Sequence, residues 1–134
     1  MSRPAWALTN YSIPWKLVPN SMRRKICQII PTLDQGGAEK QMSLLACHLD
    51  RQQFESHVVV LTRSGPLEQT LRDAGVHVHL IGKRNKLDPT ALLRLTRKLR
   101  ELAPDVVHTW LFAANSYGRW AARRAGAPVI VAGE

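Results

Sequence analysis

The chain has 134 residues, which suits a single domain large enough to bury a core. A hydrophobic fraction of 45% excludes wholesale disorder, and apolar runs as short as these exclude a bilayer span. The 19 lysines and arginines against 10 acidic residues leave a net charge of +9, which attracts nucleic acid, anionic lipid or phosphate-bearing metabolites without choosing among them.

Residues 1–22 are punctuated by Pro4, Pro14 and Pro19, with Trp6, Tyr11 and Trp15 at no helical or strand period, and read as a poorly ordered extension. Two readings of it stand: Met22 is the true start, or the stretch is a genuine flexible tail. No continuous apolar segment follows Arg3, so a secretory signal is not expected and a cytoplasmic location is.

From Lys25 onward, strands and helices alternate. Ile26-Cys27-Gln28-Ile29-Ile30, bounded by Pro31, predicts a buried strand. After the turn Asp34-Gln35-Gly36-Gly37, the stripe Ala38, Met42, Leu45, Leu49 predicts a helix. His57-Val58-Val59-Val60-Leu61 predicts the second strand. Leu67, Leu71 and Ala74 mark a short helix after Pro66, closed by Gly75.

Residues 76–81 predict a third strand, with His77 and His79 on one face. Asp88-Pro89 is a helix start, Asp as cap and Pro in the first turn, and Leu92, Leu95, Leu99 and Leu102 form the stripe that follows. Ala103-Pro104-Asp105 stops that helix before a fourth strand, Val106-Val107-His108. A helix over residues 113–124, ended by Gly126, leads to a fifth strand at 129–131.

Apolar strands alternating with helices imply a parallel sheet with crossover helices, a Rossmann-like α/β domain of about five strands. The chain stops at Glu134 directly after a strand, which reads as a domain cut short. Cys27 and Cys47 fall in a strand and a helix and read as small buried hydrophobes in a reducing compartment, with neither disulfide nor metal-ligand spacing.

Gly36-Gly37 sits between the first strand and first helix, at the strand ends where open α/β sheets bind ligands. Two glycines allow positive φ or close backbone approach, and the helix N-terminus behind them suits a phosphate. The same two residues also suit a tight turn that holds nothing.

The string Ile30-Pro31-Thr32-Leu33-Asp34-Gln35-Gly36-Gly37-Ala38-Glu39-Lys40-Gln41 resembles the opening of the family-4 glycosyltransferases. Pro104-Asp105-Val106-Val107-His108-Thr109-Trp110, the helix with Ala114-Asn115-Ser116-Tyr117-Gly118-Arg119, and Gly126-Ala127-Pro128-Val129-Ile130-Val131 are similar to later parts of the same domain. The resemblance covers residues 24–134. It implies the N-terminal half of a GT-B fold, in which two Rossmann-like domains face a cleft and a sugar passes, with retention, from a nucleotide-sugar donor to a glycan or lipid-linked acceptor. By position it gives Gly36, Gly37 and Ala38 the donor diphosphate, and His108, Trp110 and Asn115 the acceptor cleft. Many relatives have a second His where Trp110 stands. Some carry a functional His near the position of Glu134, which makes Glu134 the candidate catalytic group. The resemblance implies no cofactor and no metal, and the donor domain would lie beyond Glu134.

Other residues carry two readings each. His108 lines the cleft or is a core histidine bonded to backbone; Asn115 and Ser116 bind acceptor or serve the helix start. Glu39 contacts substrate or complements its own helix end. His77 and His79 lack a third ligand, and His48 and His57 read as ordinary surface or strand-end positions. The basic cluster Lys83, Arg84, Lys86, Arg94, Arg97, Lys98 and Arg100 is a solvated face or a contact for an anionic membrane. Nucleic acid is not an expected partner, since no recognition motif or aromatic platform accompanies these charges. The expectation is therefore a residue 1–22 extension and a residue 23–134 transferase half-domain, inactive alone. The alternative is a non-catalytic anion- or lipid-binding Rossmann-like module.

Overall fold

The computed structural model describes residues 23–133; the expected extension over residues 1–22 and the candidate catalytic Glu134 lie outside them. Five strands and four helices alternate: β1 (Arg24–Thr32), α1 (Gly37–His48), β2 (Phe54–Arg63), α2 (Leu67–Asp73), β3 (His77–Leu80), α3 (Pro89–Leu102), β4 (Val106–Trp110), α4 (Leu111–Ala125) and β5 (Val129–Gly133). The strands form one sheet in the order β3-β2-β1-β4-β5, and every pairing is parallel. The expected Rossmann-like α/β fold is what the chain adopts.

Alternating residues of each strand feed two cores. Ile30, Val58, Val60 and Val78 pack under α1 and α2 with Met42, Ala46 and Leu71. Cys27, Ile29, Val59, Leu61 and Val107 pack under α3 and α4 with Leu95, Leu99, Ala114, Ala121 and Ala122. Burial on both faces is why the strands read as nearly continuous apolar runs.

The helix ends follow local chemistry. Asp88 caps α3, its carboxylate accepting from the Ala91 amide at 3.1 Å, with Pro89 in the first turn. Gly126 closes α4 with φ 79°, and Gly75 follows α2 with φ 83°. The Tyr117 hydroxyl accepts from the Asp88 amide and donates to the Lys86 carbonyl, both at 2.8 Å, so α4 pins the loop that leads into α3.

Three details depart from expectation. In α1 the buried residues are Met42, Ser43 and Ala46, while Leu45 is exposed, so the stripe is turned from the one the leucines suggested. Helix α4 starts at Leu111. Asn115 and Ser116 therefore lie a full turn inside it, and helix-start chemistry is not their role. His57 is buried, not a surface position. Cys27 and Cys47 are both free, Cys27 fully buried with its thiol pushed up to about 12 by desolvation.

Candidate functional site

Strand order reverses between β1 and β4, whose following helices lie on opposite faces of the sheet. The loops after these two strands therefore diverge and open a crevice at the carboxyl edge, the usual ligand site of such sheets. Gly36 and Gly37 border it on one side, Trp110 and Leu111 on the other.

Gly36 is the N-cap residue of α1, with φ −76° and no side-chain cap. The first-turn N–H groups therefore have no capping side chain and present the positive end of the helix. Positive φ is not what these glycines supply. A Cβ on Gly36 would lie 2.9 Å from the Glu39 carboxylate, whereas one on Gly37 would meet nothing within 4 Å. Gly37 thus faces open space that a ligand can enter. Glu39 folds back over its own helix end, where its carboxylate accepts from Thr32 Oγ1 at 3.3 Å. Behind the turn, the loop into α2 comes so close that a Cβ on Gly65 would sit 2.5 Å from the Leu33 carbonyl oxygen. The Leu67 amide donates to the same oxygen at 3.2 Å.

On the β4 side, His108 and Trp110 share the face that carries α1, their rings 4.6 Å apart. Trp110 Nε1 donates to Oε1 of Gln28, a buried side chain on β1, at 2.7 Å. Desolvation lowers the pKa of the half-buried His108 and favours its neutral form. Leu111 follows with φ 70°, a backbone state rare for a branched side chain and placed at the crevice mouth.

The three expected acceptor residues are not on one face. His108 and Trp110 lie on the α1 side, while Asn115 belongs to α4 and its Oδ1 accepts from Thr109 Oγ1 at 2.6 Å. Asn115 instead lines a shallow groove along α4 with Ser116, Arg119, Trp120, Arg123 and Arg124.

Much of the basic cluster is occupied by structure. The Arg94 guanidinium clasps the carbonyls of Ile81 and Gly82, each at 3.1 Å, and Arg100 reaches the Arg124 carbonyl at 3.3 Å. Lys98 pairs with Glu101, and Lys83 stands over the Tyr117 ring.

A second polar cluster lies at the other end of the sheet. His57 pairs in register with His77, and their rings stack at 4.7 Å. His57 Nδ1 is 3.1 Å from His79 Nε2, and His57 Nε2 is 2.8 Å from Glu55 Oε1. Burial lowers the pKa of His57, and that of His79 to about 4, so both are neutral near pH 7. Spacing along the chain shows only His77 and His79; the cross-strand register supplies His57 and Glu55.

A parallel five-stranded sheet wound on both faces, with an uncapped Gly-Gly helix start at its switch point, defines a Rossmann-like domain of the kind that forms half of a GT-B fold. The family model for Glycosyltransferase Family 4 matches residues 35–132. The chain belongs to that family. No curated protein matches the sequence. Two crystal structures of the C-terminal domain of a hydrogenase from Pyrococcus furiosus share the fold, both at 15% identity. One superposes with a TM-score of 0.56 over 85% of this chain and 95% of that one; the other gives 0.55 over 86% and 96%. Among the described residues, no helix is long and apolar enough to cross a membrane.

Proposed function

We propose that this domain forms the acceptor-side wall of a cleft in which a hexosyl group passes, with retention, from a nucleotide-sugar to a glycan or lipid-linked acceptor. The observation that carries the reading is the uncapped N-terminus of α1 behind Gly36-Gly37, at the crevice between β1 and β4. Backbone N–H groups of Gly37 and Ala38 there meet the donor diphosphate, and the open space beside Gly37 admits it. Their task is electrostatic: negative charge grows on the diphosphate as it leaves, and fixed N–H dipoles stabilise it without reorganising. His108 and Trp110 offer the acceptor a ring surface, and Asn115 meets it only along the α4 side of the crevice.

The nucleotide-sugar is a substrate, and no cofactor enters this reaction. Its nucleotide needs a facing donor-side domain, to which the described residues contribute one wall only. By themselves, these 134 residues bind acceptor weakly and do not turn over. A cytoplasmic setting, with exposed arginines against anionic lipid, suits a lipid-linked acceptor. The groove on α4 with Arg119, Arg123 and Arg124 favours one other reading, a non-catalytic anion- or lipid-binding module.

Calorimetry with UDP, GDP and their sugars separates the two. The transferase reading expects no saturation below about 1 mM for the chain alone, a binding free energy weaker than about 4 kcal/mol. It also expects sugar transfer when the chain is fused to the donor-side domain of a family-4 relative, and loss of that transfer in Gly37→Val. Saturable binding by the chain alone, abolished by Arg119→Ala with Arg123→Ala, supports the module instead.

A further inference from the structure

Glu55 and His57 lie near the start of β2, and His77 starts β3, at the end of the sheet away from the Gly36-Gly37 turn. One donor atom from each of the three lies within 4.8 Å of the other two. We propose that Glu55, His57 and His77 bind a divalent transition-metal ion of the zinc class, with His79 as the residue that orients His57.

Two imidazoles and one carboxylate are the donor set that zinc and cobalt favour, whereas calcium and magnesium prefer oxygen alone. Three protein ligands leave a fourth, tetrahedral position for water. Zinc–ligand bonds of about 2.0–2.1 Å set tetrahedral donors roughly 3.3 Å apart. The ion therefore parts His57 Nε2 from Glu55 Oε1, which stand 2.8 Å apart without it, and draws His77 inward. His77 is exposed on the outer strand and can turn, whereas His57 is held by the core.

Two further features fit an ion. Glu55 Oε2 is buried and has no hydrogen-bond partner, an arrangement that is costly for a carboxylate oxygen and that a cation relieves. His57 also has its outer partner in place. With an ion on Nε2, its Nδ1–H donates to His79 Nε2, 3.1 Å away, which fixes the ring and its tautomer. Without an ion, Nε2–H donates to Glu55 and the His57–His79 bond runs the other way.

Lys25, Lys98 and Arg72 lie near enough to these histidines to oppose a cation. Each is turned to another acceptor: Lys25 to the Leu102 carbonyl, Lys98 to Glu101, and Arg72 to Glu68 and the Val78 carbonyl. The Glu55 carboxylate is the counter-charge that remains to the site.

The test uses the full chain, free of any histidine tag and stripped with a chelator. Cobalt is titrated by visible spectroscopy, and zinc by competition with a chromophoric chelator. The expected result is one equivalent bound with a Kd on the order of a micromolar, and a cobalt spectrum of tetrahedral type without thiolate charge transfer. His77→Gln and Glu55→Gln each weaken binding by at least about tenfold, as does His79→Phe through loss of the orienting bond. His48→Gln, on α1, leaves it unchanged. His57 is too buried to replace safely; His77 is exposed, and an unchanged circular dichroism spectrum of His77→Gln shows that its fold survives. No binding at about 100 µM cobalt, a thiolate band, or equal affinity in His77→Gln and Glu55→Gln overturns the proposal.

Discussion

Trp110 on β4 donates its indole N–H to the Oε1 of Gln28 on β1 across 2.7 Å, joining the two strands between which the sheet order reverses. Gln28 is 1% exposed, so its carbonyl has no water to turn to if the indole is lost. Trp110→Phe is expected to cost about 1–3 kcal/mol, because a buried acceptor left unpaired bears its full desolvation penalty. Adding Gln28→Leu removes the orphaned group and recovers much of the loss. Urea unfolding of both single variants and the double variant reads this as a coupling energy. Additive losses would show that the bond contributes little.

Gly118 lies in the middle of α4, where glycine ordinarily costs about 0.5–1 kcal/mol relative to alanine. Propensity alone therefore predicts that Gly118→Ala stabilises. Packing reverses the sign, since a Cβ there would stand 2.6 Å from Thr109 Cγ2 and 3.2 Å from Ile29 Cδ1. The expected outcome is a loss of about 1–3 kcal/mol by chemical denaturation. Thr109→Ser removes the clashing methyl and keeps the hydroxyl that donates to Asn115, so it rescues the variant in part. A stabilised Gly118→Ala would mean that the helix shifts freely on the sheet.

The alternation of apolar runs with helical stripes made the sheet, its parallel sense and its helices legible, because strands buried on both faces have a simple pattern. Asp88-Pro89, Gly75 and Gly126 marked helix ends, since each answers a local backbone need. Long-range pairings were not legible. Gln28 and Trp110 are 82 residues apart, and His57 meets His77 only through strand register. The Gly36-Gly37 turn was readable as a place, but the open space at Gly37 and the crowding at Gly36 depend on where Glu39 folds. Gly118 did carry a signal: a glycine inside a helical pattern points to close packing.

Asp88 accepts from Thr90 Oγ1 and from the amides of Arg84 and Ala91, and these bonds hold its carboxyl well below the usual carboxylate range. A carboxylate with a depressed folded-state pKa contributes stability that is fully present above its unfolded value, about 3.9. That stability is lost as pH falls from there toward the folded value. Asp88→Ala is therefore expected to lower Tm at pH 7 by several degrees, on the order of 5 °C. Its Tm should also fall less steeply than that of the parent below about pH 4. Thermal unfolding across pH 2–7 checks both; parallel acid limbs would remove Asp88 from the account.

Helices α1 and α2 pack against β1, β2 and β3, whereas β4 and β5 meet α4 on the opposite face. Val131 pairs with His108 and shares its side of the sheet, and Val129 lies two residues earlier on the same side. Val129 is 48% exposed and Val131 44%, beside His108 and the half-buried Trp110. The outer edge of β5 has no strand partner among the described residues. An open edge beside an apolar face invites a second copy of the chain. Light scattering is expected to give a mass above 15.1 kDa that rises with concentration. Val131→Lys, which sets a charge on that face, should restore the monomer. A parent chain that stays monomeric at high concentration would show that the open edge and the two valines do not drive association.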